Sequence, residues 1–364
     1  MRYTIIKTHN PKEKNHDKKT TYAIYLGAKP EYQTRDYALL YPHIPASEYP
    51  PGKTLGKAQN AKIKLAQNIE TGEWVAVKIQ TVLALCISTT TLINNIKNEY
   101  RAWKRLDLAL STLVEHTPAT LNTSTLFKCI YRRFTFFMPW YSGVEVFSFY
   151  DSSRTRPQSE WLSIAIACTD AVKRFHRNNM VHGDIKGENI IMNLTTGQAS
   201  LIDPAFAEEI SVLQKDDSLK SRVGTLVNAA PEMFPQNHLV ERSAQADIYS
   251  LGATLAELFA MDIPNQEIID HIKWQYENGS FINLVDVIAQ TSIAGINQFY
   301  QYSTHIQEFY CFKRLSLLLK QMMHQDPNQR PRIDEVLGEL NALYDLSVKK
   351  QPINKTVFIL NIDD

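Results

Sequence analysis

His182-Gly183-Asp184-Ile185-Lys186-Gly187-Glu188-Asn189, followed by Asp203 in Leu201-Ile202-Asp203-Pro204-Ala205, sets an Asp, a Lys, an Asn and a second Asp at spacings that suit phosphoryl transfer. Moving a γ-phosphoryl group calls for in-line positioning and neutralisation of charge rather than a covalent step by the protein. A carboxylate can take or orient a hydroxyl proton, and an ammonium can sit beside the moving phosphate. Asn and Asp oxygens can hold a divalent cation between phosphate oxygens. Read alone, the same loop is also an ordinary polar turn between the apolar runs Phe175–Val181 and Ile190–Met192. Segments elsewhere must decide between the two.

The loop resembles the catalytic loop of the eukaryotic-type protein kinases, His-Arg-Asp-x-Lys-x-x-Asn, and Asp203 opens a triplet similar to their Asp-Phe-Gly. The resemblance implies that Asp184 and Lys186 are catalytic and that Asn189 and Asp203 hold the metal. It further implies ATP with Mg²⁺ or Mn²⁺ as cofactors and a protein as substrate.

Such a site needs a lid over the phosphates. Leu55–Ile63, Lys64–Gly72 and Trp74–Lys78 read as strand, turn and strand ending on a Lys, although alternation of Lys62 and Lys64 with Ile63 and Leu65 is what any half-exposed strand shows. By the resemblance Lys78 meets the α- and β-phosphates and Gly56 is the first glycine of a Gly-x-Gly-x-x-Gly loop. Ala58 and Ala61 occupy the other two glycine positions. Thr91–Leu106 carries Leu92, Ile96, Trp103 and Leu106 at helical intervals and is expected to be the αC helix. Glu99 is its best placed partner for Lys78; the alternative is a solvated i,i+4 pair on the helix surface. Thr135–Gly143 reads as an apolar strand leaving into a turn, which the resemblance makes the interlobe hinge. It makes Met138 the gatekeeper and the Trp140-Tyr141 backbone the adenine contact, with Ile63 and Ala76 above the ring and Ile191 below.

Downstream, Val223–Glu232 matches the end of the family's activation segment, Ala246–Gly252 opens a helix like its αF, and Asp326–Pro331 resembles the segment whose Arg pairs with the Glu of Ala-Pro-Glu. The resemblance therefore implies a buried Glu232–Arg330 ion pair and an Asp247 contact to the catalytic-loop backbone. The implied fold is α+β and bilobal: a small β-rich N-lobe with the αC helix, 52–141, and a larger, mostly helical C-lobe, 142–346. Before it lies an extension, 1–51, with two β-prone stretches, Tyr3–Lys7 and Thr20–Leu26, flanking a basic turn, then a proline-punctuated linker. The basic turn reads as a solvated loop or as a contact for an acidic partner. A tail, 347–364, contains a strand-like Thr356–Leu360.

At 364 residues and 44% hydrophobic, the chain can bury a large core, and a net charge of +1 implies no nucleic-acid footprint. Cys86, Cys129, Cys168 and Cys311 form no C-x-x-C pair, which points to reduced thiols in a cytosolic compartment and no zinc site. No apolar run is long enough to span a bilayer, and Met1-Arg2-Tyr3-Thr4 does not begin a secretory signal. A chain delivered into another cell's cytosol by machinery that needs no signal would look the same.

Departures from the family pattern qualify the reading. Gly183 replaces the Arg that in many members binds a phosphate on the activation loop, so Ser218 or Ser221, once phosphorylated, would find no receptor in this loop. Activation is then constitutive or driven by a protein partner. Pro204 and Ala205 stand where the family has Phe and Gly, which stiffens the segment and leaves Phe206 as the candidate for the missing aromatic contact. Two readings stay open: an active kinase, tilted toward Ser/Thr substrates by Lys186 and Thr225, and a pseudokinase that binds nucleotide or scaffolds. A kinase of small molecules or lipids fits less well, because Ala-Pro-Glu and Arg330 argue against it.

Overall fold

The computed structural model describes residues 2–9, 19–26, 54–58, 61–68, 71–83, 89–116, 131–149, 158–209, 228–233, 243–259 and 306–348. Ser218, Ser221, Thr225, the Lys12–Lys18 turn, Cys86, Cys129 and the Thr356–Leu360 stretch lie outside these residues.

The N-terminal part is an antiparallel sheet of β1 (Arg2–His9), β2 (Lys19–Leu26), β3 (Thr54–Ala58), β4 (Ala61–Asn68), β5 (Trp74–Leu83), β6 (Val114–His116) and β7 (Tyr131–Pro139). Its order is β1-β2-β4-β5-β7-β6, and β3 shares one edge of β4 with β2. β3 pairs with the first half of β4, from Ala58 opposite Ala61 to Thr54 opposite Lys64, and β2 takes the last residues, Gln67 and Asn68. The register slips by one residue between Thr54 and Gly56, a bulge at the entrance of the predicted phosphate loop.

Alternation along the strands sorts the side chains. On β5, Val75 and Val77 join Ala66 and Phe137 in one apolar cluster, while Ala76 joins Phe136 and Met138 in another on the opposite face. That second face is covered by α1 (Thr89–Arg105), which buries Ile93, Ile96 and Trp103 along a helical stripe. The helix begins two residues before the periodicity predicts.

The C-terminal part is helical. α2 (Gln158–Arg177), α3 (Ala244–Phe259), α4 (Ile306–Met322) and α5 (Ile333–Val348) enclose one large core. α3 is its axis, buried along nearly its whole length, with Asp247, Ser250 and Thr254 as polar residues among its apolar ones. Gly252 lets α4 come close: a Cβ there would stand 2.9 Å from the Met322 Cβ. Short strands line the boundary between the two parts. β8 (Val144–Glu145), β10 (Ile190–Met192) and β11 (Ala199–Leu201) form one small sheet, and β9 (Met180–Val181) pairs with β12 (Glu208–Glu209). This is the bilobal α+β arrangement expected. Cys168 and Cys311 are buried, and burial pushes the Cys168 thiol up to about 12. No helix among the described residues is long and apolar enough to cross a membrane.

Candidate active site

Sheet register sets the upper half of the site. Lys78 on β5 lies opposite Ile63 on β4 and Phe136 on β7, and Ile63 lies opposite Gly56 on β3, so Gly56, Ile63 and Lys78 form one row across the sheet. Ala76, two residues before Lys78 and therefore on the same face, lies opposite Met138. Ile63, Ala76, Met138, Trp140 and Tyr141 share one apolar cluster. Ile191 lies apart from it on β10 of the helical lobe, half-buried between the buried Ile190 and Met192.

α1 delivers Glu99. Its carboxylate accepts from Lys78 Nζ at 2.7 and 2.6 Å, and both side chains are buried. The surface-pair alternative is thereby excluded for Glu99. Lys78 also donates to Asp203 Oδ1 at 3.0 Å, a contact between residues 125 apart in the chain. Burial opposes the Lys78 charge, but the Glu99 and Asp203 carboxylates outweigh it and hold the ammonium above its usual range. Burial likewise works to raise Asp203, and Lys78, His182 and Lys186 overcome it, holding that carboxyl below its ordinary range. Asp203 takes a left-handed backbone at φ 55°, as Asp can, and Pro204–Phe206 follows as one turn of 3₁₀ helix packed against α1. Pro204 is buried and Phe206 half-buried in that turn.

The lower half is held from beneath. Ile185 and Ile190 are fully buried and anchor the 182–189 loop in the helical core. Asp247, on the first turn of α3, accepts from His182 N at 2.8 Å and Gly183 N at 2.9 Å. His176 Nε2 lies 3.0 Å from the same carboxylate, a contact between α2 and α3 that no local pattern announces. The His182 ring stands edge-on to Phe175; its Nδ1 accepts from Asp184 N at 3.3 Å, which leaves the proton on Nε2 to meet the Ile202 carbonyl at 3.1 Å. Asn189 Nδ2 donates to Asp184 Oδ2 at 3.0 Å and to the Asp184 carbonyl at 2.8 Å, and Lys186 Nζ lies 3.1 Å from the same Oδ2. Ile202 N donates to the Asn189 carbonyl at 2.9 Å, which brings the residue before Asp203 against Asn189. Thus Asp184, Lys186 and Asn189 form one bonded group and Lys78, Glu99 and Asp203 a second, and the Ile202–Asn189 main-chain bond sets the two side by side.

The protein kinase domain family model matches residues 49–340, most of the chain. This chain belongs to the protein kinase family. It is similar to CBL-interacting serine/threonine-protein kinase 8 of Arabidopsis thaliana, 29% identical over 223 residues, which cover 61% of this chain and 46% of that one. Protein kinase kin1 of Schizosaccharomyces pombe (strain 972 / ATCC 24843) is 26% identical over 222 residues, 58% of this chain and 24% of the relative. Serine/threonine-protein kinase ppk25 of the same organism is 26% identical over 216 residues, 59% of this chain and 47% of the relative. The match spans less than half the length of each.

In this kinase Asp247 gives the fold a pH dependence. Burial pushes its carboxyl up, but His176 and His182 outweigh that and hold it below its ordinary 3.8. A carboxyl lowered by folding stabilises the native state above its unfolded value, and that contribution is lost as pH falls through the folded one. Asp247→Asn is therefore expected to melt below the wild type at neutral pH, with the gap closing as pH falls below the ordinary carboxyl value of 3.8. Thermal melts followed by circular dichroism across that range measure it; a gap that does not change with pH contradicts the assignment.

Proposed function

We propose that this kinase transfers the γ-phosphoryl group of ATP to Ser and Thr hydroxyls of protein substrates, without an arginine-held activation-loop phosphate. The observation that carries this reading is the double engagement of Lys78, on Glu99 and on Asp203, beside an Asp184 oriented by Asn189 and Lys186. Lys78, fixed by Glu99, positions the α- and β-phosphates, and the Ile63, Ala76, Met138, Trp140 and Tyr141 cluster, with Ile191 below, receives adenine. The row that joins Gly56 to Lys78 lays the phosphate loop above. Asp184 orients the attacking hydroxyl and accepts its proton, and Lys186 shifts toward the transferred phosphate.

Asn189 and Asp203 suit a Mg²⁺ or Mn²⁺ ion. The Asn189 amide nitrogen is taken up by Asp184, which turns its oxygen elsewhere, and the Asp203 side chain is 44% exposed. The described residues contain no cluster of three or more His, Cys, Asp or Glu able to hold a metal alone. Two oxygen donors fit Mg²⁺, which is commonly shared between one or two protein groups and substrate phosphates. The ion supplies charge neutralisation on the phosphate oxygens.

The pseudokinase reading rests on Asp203-Pro204-Ala205 in place of Asp-Phe-Gly and on Ala58 and Ala61 at two glycine positions of the phosphate loop, where a Cβ hinders the approach of backbone amides to phosphate. Labelled ATP with Mg²⁺ or Mn²⁺ and generic protein substrates, with Asp184→Ala as control, separates the two. Asp184-dependent labelling of Ser or Thr is expected. No such labelling, together with an ATP stabilisation of about 2.7 kcal/mol at a hundred times the dissociation constant, would instead identify a nucleotide-binding pseudokinase.

A further inference from the structure

A cleft of about 350 Å³ opens on the helical lobe and shares no residue with the catalytic loop. One wall is a stripe of α2, where Ser163, Ile166, Ala167, Asp170 and Arg174 recur at helical intervals along one face. The turn of the β10–β11 hairpin, 197–199, and Asn341 and Tyr344 of α5 complete it. The floor is apolar: Ala167 and Ala199 are buried, and Ile166 and Tyr344 are half-buried against the core. Around the rim, Ser163, Asp170, Gln198 and Asn341 offer donors and acceptors to an extended main chain. From Ser163 to Arg174 the stripe is about 16 Å long, at roughly 1.5 Å per residue. Its far end is basic. Arg174 is exposed there, with one guanidinium nitrogen on the Ala199 carbonyl, and Arg177 is exposed a turn further on.

α5 returns the chain to the near end of the same cleft. Lys173, late in α2, binds Asp334 at the start of α5 at 2.6 Å, while Asn341 and Tyr344 face the earlier turns of α2 across the cleft. The two helices therefore run antiparallel, and α5 ends at Val348, a turn past Tyr344 and beside the Ser163 end. The sequence that follows matches the cleft in length and chemistry. After Pro352 comes Thr356-Val357-Phe358-Ile359-Leu360, five residues that span about 16 Å when extended. Alternation puts Phe358 and Leu360 on one face, large side chains for a floor built on two alanines. Asp363 and Asp364 follow at the basic end. We propose that the cleft is the docking site of residues 356–360 of the same chain, laid along α2 with Asp363 and Asp364 on Arg174 and Arg177. Docking ties the chain beyond α5 to the β10–β11 hairpin, whose first strand carries Ile191. It stands apart from phosphoryl transfer and does not depend on it.

Hydrogen exchange of the full chain, read in the fragments that cover 356–360, tests the docking. In the wild type these amides should exchange at least about tenfold more slowly than an unstructured chain, as docked backbone does. Ser163→Trp and Gln198→Trp fill the cleft from different walls, and each should return the same amides to the unstructured rate. Two walls keep the test usable should one variant not fold. A fluorescein-labelled peptide of residues 353–364 gives the converse measurement by polarisation. It should bind the full-length Phe358→Asp chain at least about tenfold more tightly than the wild type, whose own tethered segment competes at high effective concentration. Adding Ser163→Trp to Phe358→Asp should abolish that binding. Unprotected 356–360 amides in the wild type overturn the proposal, as does protection that survives both tryptophan variants. A peptide that binds wild type and Phe358→Asp alike overturns it too. Protection lost on dilution would assign the cleft to the segment of a second copy and overturn docking within one chain.

Discussion

Asp184→Asn is expected to lower kcat by about 10²–10⁴-fold, the range a positioned general base supplies, with little change in melting temperature or in MgATP affinity. The geometry explains why chemistry and fold separate here. Asn189 and Lys186 both bond the same carboxylate oxygen, Oδ2. The amide oxygen of Asn can take that place and keep both partners as hydrogen bonds, and the side chain loses its charge and its capacity to accept a proton. Steady-state kinetics with labelled ATP, beside a thermal melt and a nucleotide titration, give the three readouts. A variant with half the wild-type kcat would show that Asp184 is not the base, and one that no longer folds would show that the carboxylate is structural.

Arg330→Ala is expected to destabilise the kinase by about 3–5 kcal/mol, the penalty for stripping the partner from a buried charge. The Arg330 side chain is fully buried and binds Glu232 through both nitrogens of its fork at 2.5 and 2.8 Å. It also donates to the carbonyls of Gln245 at 3.0 Å and His324 at 2.8 Å, and its guanidinium lies 5.0 Å over the Tyr249 ring. One side chain thus ties the Glu232 turn to the start of α3 and to the segment before α5. At roughly 2–4 °C per kcal/mol for a large domain, the melting temperature should fall by about 6–20 °C. Arg330→Lys should recover little, because an ammonium cannot replace the fork or the stacking. The double variant Glu232→Ala with Arg330→Ala should lose clearly less than the sum of the single variants, since it leaves neither charge stranded. Strict additivity in that cycle would rule out the pairing as the source of the loss.

Much of this was readable in one dimension, for identifiable reasons. Strand parity put Ala76 and Lys78 on one face, and helical spacing turned one face of α1 inward with Glu99. The contiguous run from His182 to Asn189 carried three polar roles within a single turn of chain. Other features had no local signature. The β-prone stretches before residue 27 are visible as strands, but their attachment depends on the edge of β4 that β3 leaves open, and so on the lengths of both partners. The β9–β12 pairing involves two residues from each strand, too few to leave a periodic pattern. His176 and Asp247 meet across 71 residues because α2 and α3 pack side by side.

Motif order and the resemblance it carries to the protein kinases were enough to point to a bilobal fold of that family and to nominate Lys78, Glu99, Asp184, Lys186, Asn189 and Asp203, because motifs and strand or helix periodicity are local signals. Packing was needed to join Lys78 to two carboxylates at once and to set the His182 proton on Nε2. Each of those is a contact between segments far apart in the chain. Its existence depends on distances of a few tenths of an ångström, which no residue type specifies until the lobes have closed around it.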